Sequence, residues 1–212
     1  MSFTFIIGAL VAYLLGSIPS GLWIGQTFFQ KDIREFGSGN LGSTNAFRVL
    51  GPKAGSVVLF CDVFKGSLAT ILAMTIFKQP SISPLWIASF AVIGHTFPLF
   101  ASFKGGKAVA TSFGFFLGIA TFINHQYFFQ FFLPLLVFLV SLYLCRMVSL
   151  SSMIGLGSGI LISFFIGNPL SITLSIFVLW LFVVYRHRAN IERIKNGTES
   201  KIKWMGKSLW EK

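Results

Sequence analysis

Four short polar stretches carry the residue types that could do chemistry. The first is GSGNLGSTNAFRVLG, Gly37 to Gly51. Its glycines let backbone N–H groups converge on an anion. Ser38, Asn40, Thr44 and Asn45 add neutral hydrogen-bonding groups, and Arg48 adds a planar fork that matches phosphate. If a helix begins here, Thr44 and Arg48 share a face at i,i+4 spacing. The second is GHTFPLFASFKGGKAVAT, Gly94 to Thr111, in which Lys104 and Lys107 bracket Gly105 and Gly106. A cation beside glycines at the start of a helix suits a phosphate. The third is VSLSS, where Ser149 and Ser152 could line a polar pocket or cap a helix. The fourth is YRHRANIERIKNG, with His187, Asn190 and Arg193. One His among three Arg adds little to a basic anchor, but it can act as a general base near neutral pH.

Several sharper motif matches fail on context. Gly37, Gly39 and Gly42 fit GxGxxG, and Asp62 follows about twenty residues on. That fingerprint needs a strand before it and a soluble βαβ unit, whereas a hydrophobic span precedes this loop. The Lys107 stretch is not a Walker loop either, because Ala101 and Ala108 stand where a Gly and a Ser or Thr are required. His187 and Glu192 form H-x4-E, but residues five apart on a helix lie about 140° apart and do not meet. His95, followed by Pro98 in the third span, reads as structural. The two cysteines, Cys61 and Cys145, sit in apolar runs and read as small hydrophobes. Their spacing fits neither a disulfide framework nor a metal site, and no cofactor is expected.

The elements that position these stretches are membrane spans. Of 212 residues, 54% are hydrophobic and only 11% are charged, against roughly 25% charged in soluble domains. The mean hydropathy is +0.78. Little sequence is left for a soluble domain, so one membrane-embedded domain over residues 1–212 is expected. A spanning helix needs roughly 17–25 apolar residues. Seven stretches qualify: about 3–25, 54–77, 84–103, 108–123, 128–146, 150–166 and 170–186. The fourth and sixth are short and contain glycine, and a five-span version makes them re-entrant or partly buried. The expected fold is therefore an all-α integral membrane protein, a seven-transmembrane helix bundle.

Charge orients the bundle. With the N-terminus outside, the inner segments hold Lys31, Arg34, Arg48, Lys53, Lys104, Lys107, Arg146 and every cation from Arg186 onward. Only Lys78 lies outside, and Lys65 lies within a span at i,i+3 from Asp62. Such asymmetry predicts a cytoplasmic C-terminus and puts all four polar stretches on the cytoplasmic face. The net charge of +11 has two causes, the positive-inside bias and an anionic substrate; nucleic acid is a poor third. The 26 phenylalanines read mostly as lipid-facing bulk. Gly155 and Gly159 form a GxxxG pair suited to close helix packing.

The ordered set GSGNLGSTNAFRVLG, GHTFPLFASFKGGKAVAT, VSLSS and HRANIERI, with GSIPSG in the first span and DVFKG in the second, resembles the acyl-phosphate-dependent glycerol-3-phosphate acyltransferases of bacterial membranes. The resemblance covers most of the chain. It implies transfer of a fatty acyl group from acyl phosphate to the 1-position of glycerol 3-phosphate, at the cytoplasmic side of the bacterial plasma membrane, in phospholipid synthesis. It implies catalytic roles for Ser38, Arg48, Lys107 and His187. Ser152 and Asn190 would bind substrate, with Asn40, Thr44, Asn45, Gly105, Gly106, Ser149 and Arg193 in support. The partners implied are the two substrates and membrane lipid. A transporter of an organophosphate anion is the rival class. It favours a midplane site and a repeat, and neither is evident here.

Overall fold

The computed structural model describes residues 3–78 and 83–202. The tail cations Lys203, Lys207 and Lys212 lie outside the described residues, as does part of the expected outer turn beside Lys78. Among the described residues all regular structure is helical. The chain expected as one domain groups into two compact units, Met1–His125 and Gln126–Lys212.

The first unit opens with α1 (Phe3–Gly16) and α2 (Ser20–Phe29). Together they make the first expected span, broken at Ser17–Pro19. Pro19 has no N–H to give the preceding turn. Leu22 N–H turns to the Pro19 carbonyl at 2.9 Å, so the Ile18 carbonyl loses its usual helical donor. After a 3-10 turn at Ile33–Glu35 come α3 (Ser43–Leu50) and α4 (Pro52–Thr75). Gly51, at φ +88, ends one helix, and Pro52 begins the next in the position where a missing N–H costs nothing. Next is α5 (Pro84–Thr96), with a 3-10 turn at Leu99–Ala101 behind Pro98.

The fourth expected span is α6 (Val109–Ile119), extended by a π turn over Ala120–Asn124. Its shortness is matched by burial. Phe113, Phe115 and Phe116 are all buried, which corrects the reading of the phenylalanines as lipid-facing for this stretch. α6 packs on α4 with the two backbones touching. A methyl group at Gly66 would strike the Thr111 carbonyl, and one at Gly114 would strike the Val63 carbonyl. Ser67 Oγ donates to the Gly114 carbonyl at 3.0 Å across the same seam. Small residues allow such close helix approach in membranes.

The second unit holds a π turn at Phe128–Phe132 running into α7 (Leu133–Cys145), then α8 (Val148–Phe165), α9 (Leu170–Arg186) and α10 (Arg188–Lys195). Gly155 of the GxxxG pair packs against Phe138 of α7. Trp180 Nε1 donates to the Met153 carbonyl at 2.8 Å and ties α9 to α8. Phe128, Phe132, Phe164 and Phe165 are exposed, as lipid-facing residues should be.

Among the described residues five helical stretches are long and apolar enough to cross a membrane: Phe3–Phe29, Pro52–Thr75, Pro84–Ala101, Phe128–Cys145 and Val148–Phe165. Val109–Asn124 is a shorter apolar helix, and Leu170–Arg186 meets Arg188–Lys195 at a 60° bend. Each of the seven expected stretches is thus helical. The protein is an all-helical membrane protein with several apolar spans.

Candidate active site

In the first unit the polar loop is built by one buried side chain. Asn45 Oδ1 accepts from Ser38 N at 2.9 Å, and its Nδ2 donates to the carbonyls of Ile33 at 2.8 Å and Phe36 at 3.1 Å. Gly37 sits at φ +62, where a Cβ would strike Asn45 Oδ1 and lie 3.2 Å from Arg48 Cδ. Only glycine fits both the conformation and the space. Asn40 Nδ2 reaches Ser38 Oγ at 3.2 Å. Thr44 and Arg48, one turn apart on α3, are both exposed, while Asn45 and Ala46 face inward.

The cations of this loop are not equivalent. Arg34 donates Nε and Nη2 to Asp32 at 2.5–3.1 Å. That fork holds the Asp32 carboxyl below its usual range. Arg34 is therefore neutralised locally. Arg48 makes no ion pair among the described residues.

The lysine strap is anchored on α5. Gly105 N donates to the Thr96 carbonyl at 3.2 Å and Gly106 N to the His95 carbonyl at 3.1 Å. A Cβ on Gly105 would strike the His95 carbonyl, and one on Gly106 would strike His95 Nε2. These two glycines serve close packing, with their amides committed to α5. Ala108, at φ +58, turns the chain into α6. Lys107 thus stands two residues before the helix, half-buried, while Lys104 is exposed.

Beneath the strap lies a buried polar chain. His95 Nδ1 is 3.5 Å from Asp62 Oδ1, Lys65 Nζ is 2.8 Å from the same oxygen, and Nζ donates to the Ile18 carbonyl at 2.9 Å. The expected Asp62–Lys65 pair therefore forms. It extends in one direction to the broken first span and in the other to His95, whose ring supports Gly106. A cavity of about 10 Å³, lined by Ile18, Asp62, Lys65 and His95 among others, adjoins it. That is room for about one water.

In the second unit α9 ends at Arg186 and His187 is the corner before α10. Arg186 and Arg193 are seven apart and would share a face on one continuous helix, but the 60° bend between α9 and α10 separates them. His187 is 2% exposed, and its Nδ1 lies 2.8 Å from the Val183 carbonyl. A carbonyl only accepts, so Nδ1 carries the proton and Nε2 is the basic nitrogen of the ring. Glu192 is exposed, in keeping with the rejection of the H-x4-E pair.

The serines of VSLSS do not cap α8, because the helix starts one residue earlier, after Met147. Ser152 Oγ donates back to the Val148 carbonyl at 2.7 Å and Ser151 Oγ to the Met147 carbonyl at 2.9 Å. Ser149 Oγ instead donates to Glu199 Oε1 at 2.5 Å. Asn190 Nδ2 reaches the same oxygen at 2.7 Å, and Arg193 Nε donates to Oε2 at 2.9 Å. Burial raises the Glu199 carboxyl, but these three donors outweigh it and hold the group below its usual range. Glu199 was not among the expected residues. Its one signal in sequence is that it is an acid in a strongly basic tail.

Among the described residues no group of three His, Cys, Asp or Glu side chains converges to hold a metal ion. The first unit offers cations and neutral donors suited to phosphate, and the second offers an imidazole able to move a proton.

The family profile described as glycerol-3-phosphate acyltransferase matches residues 6–197. A glycerol-3-phosphate acyltransferase of Listeria monocytogenes serovar 1/2a is 54% identical over 208 residues, covering 97% of this chain and 100% of that protein. The Bacillus subtilis strain 168 enzyme of the same name is 50% identical, covering 92% and 96%. Among solved structures, PlsY, an integral membrane glycerol 3-phosphate acyltransferase in its glycerol 3-phosphate form, superposes with a TM-score of 0.83 at 34% identity. It covers 93% of this chain and 95% of that one. Its lysophosphatidic acid form gives 0.80. The chain, with its ordered loop, strap and histidine corner, belongs to the glycerol-3-phosphate acyltransferase family.

Proposed function

We propose that this protein transfers a fatty acyl group from an acyl phosphate to the 1-position hydroxyl of glycerol 3-phosphate. The products are 1-acylglycerol 3-phosphate and inorganic phosphate, a step of phospholipid synthesis. Family membership sets aside the transporter reading. The observation that carries the chemistry is Arg48, exposed on α3 and in no ion pair among the described residues, beside a loop whose shape the buried Asn45 holds.

Both substrates bear phosphate, so their mutual repulsion must be screened. Arg48 and Lys107 do this and stabilise charge developing on the attacked carbonyl and the leaving phosphate. Ser38, with Asn40 and Thr44 beside it, orients a phosphate. Asn45, Gly105 and Gly106 hold the backbone that carries these groups. Ser152 and Asn190 orient the acceptor, with Ser149 and Arg193 in supporting places. The glycerol hydroxyl oxygen attacks the acyl carbonyl carbon. A carbon–oxygen ester bond forms and the bond from that carbon to the phosphate oxygen breaks. The bonding pair leaves with inorganic phosphate. The hydroxyl proton passes to His187 Nε2, which its Nδ1–Val183 bond leaves as the basic nitrogen. An open apolar groove of about 290 Å³, lined by Leu15, Ile18, Trp23, Ile24, Phe64 and Leu68 among others, gives an acyl chain a bed in the first unit.

The chain acts as a single acyltransferase, with seven spans, an outer N-terminus and a cytoplasmic C-terminus. All of its site residues lie on the cytoplasmic side of a bacterial plasma membrane. The charge asymmetry and the seven apolar helices support this topology. Purified protein given acyl phosphate and glycerol 3-phosphate is expected to release phosphate only when both are present. Release from either alone, or acylation only from an acyl thioester, would overturn the reading.

A further inference from the structure

The strap that carries Lys107 does not hold itself up. Residues 104–108 belong to no helix, and Ser102, Phe103 and Ala108 stand at φ +54, +59 and +58. None of them is glycine, and residues with a Cβ adopt that region only when their surroundings impose it. Among the described residues the support comes from α5. The two glycine amides bond to its last carbonyls, and Gly106 lies on the edge of the His95 ring. From the place of a Cβ on Gly106, ring atoms Cδ2 and Cε1 are 3.1 and 3.3 Å away. Lys107 is the next residue.

The ring in turn is fixed by a buried ion pair. Asp62 Oδ1 lies 3.5 Å from His95 Nδ1 and 2.8 Å from Lys65 Nζ. The His95 and Lys65 side chains are each 6% exposed, and that of Asp62 is 2% exposed. Lys65 Nζ also donates to the Ile18 carbonyl at 2.9 Å. These contacts run from the break between α1 and α2, through α4, to α5 and the strap. Replacing a buried ion pair by neutral groups of similar volume often leaves stability unchanged, so stability is a poor account of this one. Its effect on geometry is specific. An ionised carboxylate only accepts, so Nδ1 meets it as a donor and Nε2 is turned to Gly106.

We propose that Asp62 is a positioning residue for the acyl transfer, acting through His95 and Gly106 to set where Lys107 stands. Lys65 holds Asp62. The proposal rests on the acyltransferase reading above, in which Lys107 stabilises charge on the reacting groups.

The test uses the full-length protein in detergent. The wild type is assayed first with acyl phosphate and glycerol 3-phosphate; a wild type that releases no phosphate discards the acyltransferase reading and this proposal with it. In an active protein, Asp62→Asn and Lys65→Met are made together, which leaves no lone buried charge. The double variant is expected to lose roughly tenfold to a hundredfold in kcat/KM, with melting close to wild type. In a Lys107→Ala background the same two changes should cost less than about twofold, because the group they position is gone. An equal loss in both backgrounds makes Asp62 a residue of general stability and overturns the proposal. A wild-type kcat/KM in the double variant also overturns it. Where Lys107→Ala leaves no turnover to measure, acetylation by acetic anhydride decides, read by mass spectrometry. The Lys107 rate should change at least about threefold in the double variant, while that of Lys53, exposed at the start of α4, stays the same. An unchanged Lys107 rate rejects the role, and a change at both lysines marks a general loosening and rejects it too. If the double variant does not fold, His95→Asn takes its place. It keeps a donor for Asp62 but removes the ring edge under Gly106. A kcat/KM within about twofold of wild type in His95→Asn would then reject the proposal.

Discussion

The loop around Asn45 and the corner around His187 solve opposite problems. In the loop, a neutral buried amide holds two backbone carbonyls and one N–H, and Arg48 beside it is exposed and in no ion pair among the described residues. At the corner, a backbone carbonyl holds the imidazole, and an anionic side chain gathers three donors, Ser149, Asn190 and Arg193. The loop keeps its positive charge available. The corner pairs Arg193 with a carboxylate and fixes orientation. A reaction between two phosphate-bearing substrates needs both, and this protein assigns them to different stretches of chain.

The comparison breaks most visibly at the cations. Arg48→Ala should lower kcat by roughly 10²–10³ while the exposed site leaves folding intact. Lys107→Ala should behave alike. Phosphate release and detergent melting check both, and near-normal turnover in either removes that residue from the chemistry. Next is the imidazole. His187→Gln should lose about 10²-fold and flatten the limb of the pH–rate profile that reports the base. Retained activity with an unchanged profile would make His187 an orienter, with a substrate phosphate taking the proton.

Asn45→Ala tests the other half of the contrast. It strands two carbonyls and one amide, at about 1–3 kcal/mol for each buried group left without a partner. A clear fall in melting temperature is expected, together with weaker substrate binding as Arg48 loses its platform. A variant that melts like wild type would show that the loop does not depend on this amide. The smallest effect is in acid. The folded-state Glu199 carboxyl is depressed, so the stability it contributes is full above the usual glutamate range and fades as pH falls through the lowered value. The melting advantage of wild type over Glu199→Gln should therefore survive mild acid and vanish only below that range. An advantage that grows as pH falls would contradict the sign.

Much of this was legible in the residues. Apolar runs marked the long apolar helices, because burial in lipid demands length and hydropathy that survive in the sequence. The Thr44–Arg48 face followed from helical spacing, and the Asp62–Lys65 pair from the cost of charge at membrane depth. Three things were not legible. The amides of Gly105 and Gly106 read as free for an anion, but they bind α5, since partners in another helix leave no local trace. The break at His187 has no Pro or Gly to announce it. Glu199 acts across a distance of fifty residues to Ser149, and nothing in the spacing of either motif points to it. Short-range patterns reveal elements and faces, whereas the contacts that set one site residue against another are long-range.

The interrupted first span carries a last consequence, about which substitutions can be inherited together. Lys65 donates to the Ile18 carbonyl at the break before Pro19, a carbonyl that also takes the Ser20 N–H. Straightening the helix alone, by Pro19→Ala, would turn that carbonyl away from Lys65 and leave the buried ammonium with Asp62 as its partner. Removing Lys65 alone would leave Asp62 with His95 beside it and the Ile18 carbonyl with the Ser20 N–H, a weaker set for a buried carboxylate. The two positions are thus a coupled pair, each hostile to change while the other stays. A lineage that lost one would be expected to lose the other, and Asp62 with it, before it regained stability.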